Sequence, residues 1–89
     1  MIFTIYTQHT CPYCEQAKNL IKHKGHSFVE LVLNVGQPQK PGFTYVPVQH
    51  LKDKVPHAKT IPQIFVGKYH VGGFAELQGY LRYDKDAEN

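Results

Sequence analysis

Residues 2–18 read IFTIYTQHTCPYCEQAK. Ile2 to Thr7 is a run of β-branched and aromatic residues, the pattern of a strand. It stops at Gln8-His9-Thr10. Pro12 then stands where a helix begins, a position that tolerates proline because its missing N–H has no partner inside the helix. Glu15, Gln16, Ala17 and Lys18 are good helix formers. Ala17, Leu20 and Ile21 recur at i, i+3 and i+4 and make one apolar face, and Gly25 ends the helix. The only two cysteines, Cys11 and Cys14, fall on the junction between strand and helix.

Ser27 to Leu33 (SFVELVL) reads as a second strand. A helix lies between the two strands, so they are expected to be parallel and joined by a right-handed crossover. Asn34 to Pro47, with three prolines and two glycines, reads as a surface loop. Val48 to Val55 has helical spacing at Val48, Leu51 and Val55 and reads as a short helix. Gln63 to Gly67 and Tyr69 to Val71 form a hairpin about a tight turn at Gly67-Lys68. Phe74, Leu77, Tyr80 and Leu81 then predict a last helix from Phe74 to about Tyr83, followed by a polar, frayed tail from Asp84 to Asn89. The expected architecture is α/β: a mixed four-stranded sheet flanked by helices, in the order β-α-β-(short α)-β-β-α.

A chain of 89 residues holds one domain, residues 1–89, since a second could not bury its own core. Hydrophobic residues make up 42% and charged residues 19%, a globular balance that excludes a disordered chain. The net charge of +3 is spread along the sequence and favours anionic small molecules or acidic partners slightly. It is too dispersed to argue for nucleic acid, and no recognition motif supports that reading. No window is apolar enough to span a bilayer, and MIFTIYTQ lacks the basic and apolar regions of a signal peptide. The expected compartment is therefore a reducing cytoplasm. There a Cys-x-x-Cys is redox-active or metal-binding more often than a permanent crosslink.

Cys11 caps a helix and Cys14 lies in its first turn. The unpaired N–H groups and the helix dipole place partial positive charge near the Cys11 sulfur. That potential favours thiolate, the nucleophilic form. Cys14, one turn inside, is placed to attack a mixed disulfide formed on Cys11. Two other uses of such a pair are zinc binding and apolar packing. For zinc, His23 and His26 would complete the ligand set, but the histidines are two residues apart where three to five are expected. For a pair of buried apolar cysteines, Pro12 and Tyr13 ahead of a helix are the wrong context. Dithiol–disulfide exchange fits the residues best.

Three motifs in order now carry a family resemblance: CPYC after the opening strand, Thr60-Ile61-Pro62, and Gly72-Gly73 before the last helix. Together they resemble the dithiol glutaredoxins, over nearly the whole chain and most weakly from Asn34 to Lys59. The loop at 34–47 is similar to that of compact viral members. The resemblance implies a thioredoxin fold and glutathione as reducing co-substrate; the expected chain is a monomer, the default where the sequence carries no sign of an oligomer, with no tightly bound cofactor and no metal. It implies Cys11 as nucleophile and Cys14 as resolving thiol. Tyr13 would flank glutathione, Pro62 would be a cis-proline facing the cysteines, and the backbone of Ile61, next to Thr60, would pair with the main chain of the glutathione cysteine. Gly73, Phe74, Ala75 and Glu76 would hold the γ-glutamyl end. Gly72-Gly73 leads into exposed helix N–H groups suited to a carboxylate, and Glu76 would accept the ammonium. Glu76 in a first turn also simply favours the helix dipole.

The sequence departs from the resembled family where a Lys or Arg often stands three residues before the first cysteine; Gln8 occupies that place, and Lys59 is a partial substitute. Ala75 and Glu76 stand where Thr or Asp, and Asp, are common. Of six histidines only His9, near Cys11, is a candidate electrostatic aid. The implied activity is reduction of protein disulfides and glutathione mixed disulfides, with ribonucleotide reductase a family-implied client. Two other classes compete. A redoxin reduced by thioredoxin reductase would carry an aromatic, basic C-terminal motif, which LQGYLRYDKDAEN lacks. A glutathione-ligated iron–sulfur carrier is associated with a single-cysteine CGFS-type site.

Overall fold

The computed structural model describes residues 1–88. Eight elements follow in order: β1 (Ile2–Thr7), α1 (Pro12–His23), β2 (Ser27–Asn34), β3 (Thr44–Pro47), α2 (Val48–Lys52), β4 (Gln63–Val66), β5 (Tyr69–Gly72) and α3 (Phe74–Glu88). The strands form one sheet in the order β3-β2-β1-β4-β5. β1 pairs parallel with β2, as the intervening helix requires, and β2 pairs parallel with β3. β4 runs antiparallel to both β1 and β5. This is a mixed sheet with flanking helices, the thioredoxin fold expected.

The sheet has five strands, not four. Thr44 to Pro47 belongs to it and not to a surface loop, in register Leu31↔Thr44 through Asn34↔Pro47. An edge strand needs ladder bonds on one side only, so Pro47 is tolerated at its end. The short helix closes at Lys52, before the expected Val55, with Asp53 N–H donating to Gln49 C=O at 2.8 Å. The last helix runs on through Glu88, past the expected end at Tyr83. The expectation for Asn89 lies outside the described residues.

The alternation of β1 builds two cores. Phe3 and Ile5 face α1 and α3, where they meet Ala17, Ile21, Ile64, Leu77 and Leu81. Tyr6 faces the other way, toward Leu33, Leu51 and Phe65 beneath α2. β1 is central and buried on both faces, so its C-terminal end is a fixed platform. The loop at 8–11 starts from that platform, and α1 is clamped over it by Ala17 and Ile21.

Candidate active site

Cys11 is the N-cap of α1, with extended backbone (φ −118°, ψ 103°). Pro12 follows in the first helical turn and Glu15 adds a negative charge near the dipole's positive end. The Cys14 N–H donates to Cys11 Sγ at 3.2 Å. Cys11 therefore fills the role that a serine or aspartate oxygen usually has at a helix start. Thr10, just before it, has φ +57°, the left-handed region that a β-branched residue seldom occupies.

The two cysteines are joined as a disulfide, with Cα atoms 5.2 Å apart. Cys11 is partly exposed, whereas Cys14 is fully buried. A dissolved disulfide thus meets Cys11 first, and Cys14 is reached only from Cys11. Attack by one sulfur and resolution by the other would need such an asymmetry.

A groove of about 450 Å³ is lined by Tyr13, the residue between Pro12 and Cys14, and by neither cysteine. Its lining includes Tyr13, Thr60, Ile61, Pro62, Gly73, Phe74, Ala75 and Glu76, so all eight non-cysteine residues expected at the site converge there. The tilted rings of Tyr13 and Phe74 stand 6.0 Å apart at one side, with Tyr13 60% exposed. The Ile61–Pro62 peptide is cis, and Pro62 is buried. The Gly73 N–H donates to Glu76 Oε1 at 2.8 Å. The Glu76 carboxylate is therefore on the groove and in a helix cap at once.

Sequence reasoning missed Gln78, which also lines the groove. Its signal was available: it lies four residues after Phe74 and so shares that helix face. Gln8, Lys52 and Lys59 share a neighbouring cavity of about 300 Å³, which meets the groove at Thr60 and Ile61. His9 is held away from the groove: its Nε2 is 2.8 Å from Tyr45 OH, and its ring packs edge-on against Phe43 at 4.8 Å. Among the described residues no cluster of three or more His, Cys, Asp or Glu side chains forms a metal site, and no helix is long and apolar enough to cross a membrane.

A helix-capping, partly exposed sulfur and a buried partner, at the end of the central strand of a thioredoxin fold, define a thiol–disulfide oxidoreductase. The glutaredoxin family profile matches residues 3–71, and the chain belongs to that family. It is 37% identical to glutaredoxin 3 of Escherichia coli over 73 residues, which are 82% of this chain and 77% of the other. A second relative, the hybrid peroxiredoxin hyPrx5 of Haemophilus influenzae, is 35% identical over 78 residues, and the chain spans only 28% of that protein's length. The solution structure of glutaredoxin from Brucella melitensis superposes with a TM-score of 0.66 at 31% identity, covering 99% of this chain and 86% of that one. A buckwheat glutaredoxin–glutathione complex shares the fold at 17% identity, with a TM-score of 0.63 over 93% of this chain and 70% of that one.

Proposed function

We propose that this protein is a glutathione-dependent oxidoreductase that reduces mixed disulfides through Cys11 and protein disulfides through Cys11 and Cys14 together. The observation that carries the reading is the groove lined by Tyr13, which stands between the two cysteines in the chain, by the Thr60–Pro62 segment and by the start of α3. One end offers helix N–H groups and Glu76 for an α-carboxylate and an ammonium. The other end opens toward Lys52 and Lys59, which suit a second carboxylate. Glutathione carries these groups in that order, and a buckwheat glutaredoxin of the same fold was solved with it.

With a glutathionylated client, the Cys11 thiolate attacks the glutathione sulfur and the client leaves as thiolate. A second glutathione thiolate then attacks the Cys11-bound sulfur, releasing glutathione disulfide and restoring Cys11. With a protein disulfide, Cys11 attacks one client sulfur and the other leaves as thiolate. Cys14 then attacks Cys11, the second client thiolate departs, and the Cys11–Cys14 disulfide remains. Two glutathione thiols reduce it and leave as one glutathione disulfide.

Clients are disulfide-bearing proteins, ribonucleotide reductase among the candidates, and the working compartment is a reducing cytoplasm where glutathione is plentiful. The chain acts as a monomer, because one chain supplies both cysteines and the groove. Wild type, Cys11→Ser and Cys14→Ser are compared in glutathione-dependent reduction of a small mixed disulfide coupled to glutathione reductase and NADPH. The expected result is turnover in wild type and Cys14→Ser and none in Cys11→Ser. Turnover with thioredoxin reductase but not with glutathione would overturn the assignment of the groove.

A further inference from the structure

Gln63 opens β4 with its side chain buried under the sheet. Its Nε2 donates to the Thr60 carbonyl at 2.9 Å, and lies 3.4 Å from Thr60 Oγ1. Its Oε1 is 2.8 Å from Nε2 of His70, on the neighbouring strand β5. The His70 ring stacks on Phe65 at 4.8 Å, the residue it opposes in the strand register.

These contacts fix more than themselves. A carboxamide has one accepting oxygen and one donating nitrogen. Reversing the Gln63 amide would set its oxygen against the Thr60 carbonyl oxygen, two acceptors facing each other. The nitrogen therefore faces Thr60, the oxygen faces His70, and His70 Nε2 carries the proton. The chain of donors runs in one direction, from His70 through Gln63 to the Thr60 carbonyl.

That carbonyl shares a planar trans peptide with the Ile61 N–H, and in such a peptide the two point in opposite directions. Anchoring the carbonyl toward Gln63 turns the Ile61 N–H away from Gln63, which is not part of the groove lining, whereas Ile61 is. We infer that Gln63, held in orientation by His70, is the positioning residue that presents the Ile61 N–H to the main-chain carbonyl of a thiol peptide lying in the groove. The inference rests on the glutathione reading and adds to it the part that aims the main-chain donor.

The test compares two reductants of a mixed disulfide between Cys11 and a small thiol without a main chain, which leaves the groove empty, in a Cys14→Ser background: glutathione, and 2-mercaptoethanol, which has no main chain to pair. Each variant is scored by its rate with glutathione divided by its rate with 2-mercaptoethanol. Gln63→Glu keeps the shape and the acceptor for His70 but removes the donor to Thr60. It is expected to lower the ratio about tenfold, through KM for glutathione more than through kcat. His70→Phe keeps the stack on Phe65 and removes only the N–H. It sits on an exposed edge, tests the same chain of donors if Gln63→Glu fails to fold, and should lower the ratio about threefold. A wild-type protein with no preference for glutathione would overturn the glutathione reading itself. A clear wild-type preference, unchanged in the folded variants, would leave that reading standing and overturn the role of Gln63.

Discussion

The Glu76 carboxylate accepts the Gly73 N–H at 2.8 Å, closing the first turn of α3 on itself. A glutamate three residues into a helix that reaches back to the cap N–H is half of a capping box. The same carboxylate lines the groove, so its two roles, cap and ligand contact, share one side chain. They come apart by substitution. Glu76→Gln keeps an acceptor for Gly73 and loses the charge. Its melting temperature should stay within a few degrees of wild type, while KM for glutathione rises severalfold. Glu76→Ala loses both, and should also cost about 1 kcal/mol of stability. Equal KM values in wild type and Glu76→Gln would leave Glu76 with the cap alone.

Gly72 is fixed by the same side chain. Its φ is +121°, and a Cβ there would meet Glu76 Cγ at 2.8 Å and Glu76 Cβ at 2.9 Å. Gly72→Ala therefore combines backbone strain with displacement of the cap, about 3 kcal/mol together. For a domain of this size that lowers Tm by roughly 12–24 °C. Adding Glu76→Ala should not rescue the variant, because alanine retains the Cβ that is met. A thermal melt of the double variant near wild type would refute this account.

How much of this was legible beforehand follows from where each signal resides. α1 and its two cysteines were readable because every cue is local: proline in the first turn, then Ala17 and Ile21, both now fully buried. β3 was hidden because prolines and glycines crowd the segment from Asn34 to Pro47. Only Thr44-Tyr45-Val46 carries β character, and three residues pairing on one side leave little period to detect. The groove could be listed residue by residue from family resemblance, but not built. Tyr13, Ile61 and Phe74 meet only because β1 and β4 are neighbours and α3 packs on α1. The Gln63–His70 link was invisible for the same reason, since it depends on the β4–β5 register.

Thr10 offers a test of strain next to Cys11. At φ +57° a threonine carries a penalty of about 1–2 kcal/mol that glycine avoids. Glycine gives back roughly 0.5–1 kcal/mol through the freedom it gains when unfolded. Thr10→Gly should therefore be more stable by about 0.5–1 kcal/mol, a rise in Tm of roughly 2–8 °C. Opposing this is the bond from Thr10 Oγ1 to the His9 carbonyl, which glycine lacks. A Tm below wild type in differential scanning calorimetry would mean that this bond outweighs the strain.

Lys18 links the helix to the sheet behind Cys14, and its pH dependence has a definite sign. Its Nζ lies 3.2 and 3.1 Å from the two Glu30 oxygens and 2.9 Å from Glu15, while the buried Thr7 hydroxyl donates to Glu30 at 2.6 Å. Burial alone would pull the ammonium pKa down, but hydrogen bonds to Glu15 and Glu30 and their charges outweigh it, holding the pKa above the usual 10.5. Tyr6 is also raised above its usual 10.0, by burial. In both cases the folded chain holds its proton to higher pH than the unfolded chain. Stability is then complete below about pH 10 and falls as pH climbs through the folded-state values, because unfolding releases the proton. Lys18→Met leaves Glu30 half-compensated. It should cost about 2 kcal/mol at pH 7, between the value of an exposed pair and that of a fully buried one. It should also flatten the alkaline fall, leaving the part that belongs to Tyr6. Urea unfolding of both proteins between pH 7 and 11.5 checks this. Parallel curves across that range would mean that the Lys18 ammonium contributes nothing that titrates, and that the pair holds α1 to β2 by packing alone.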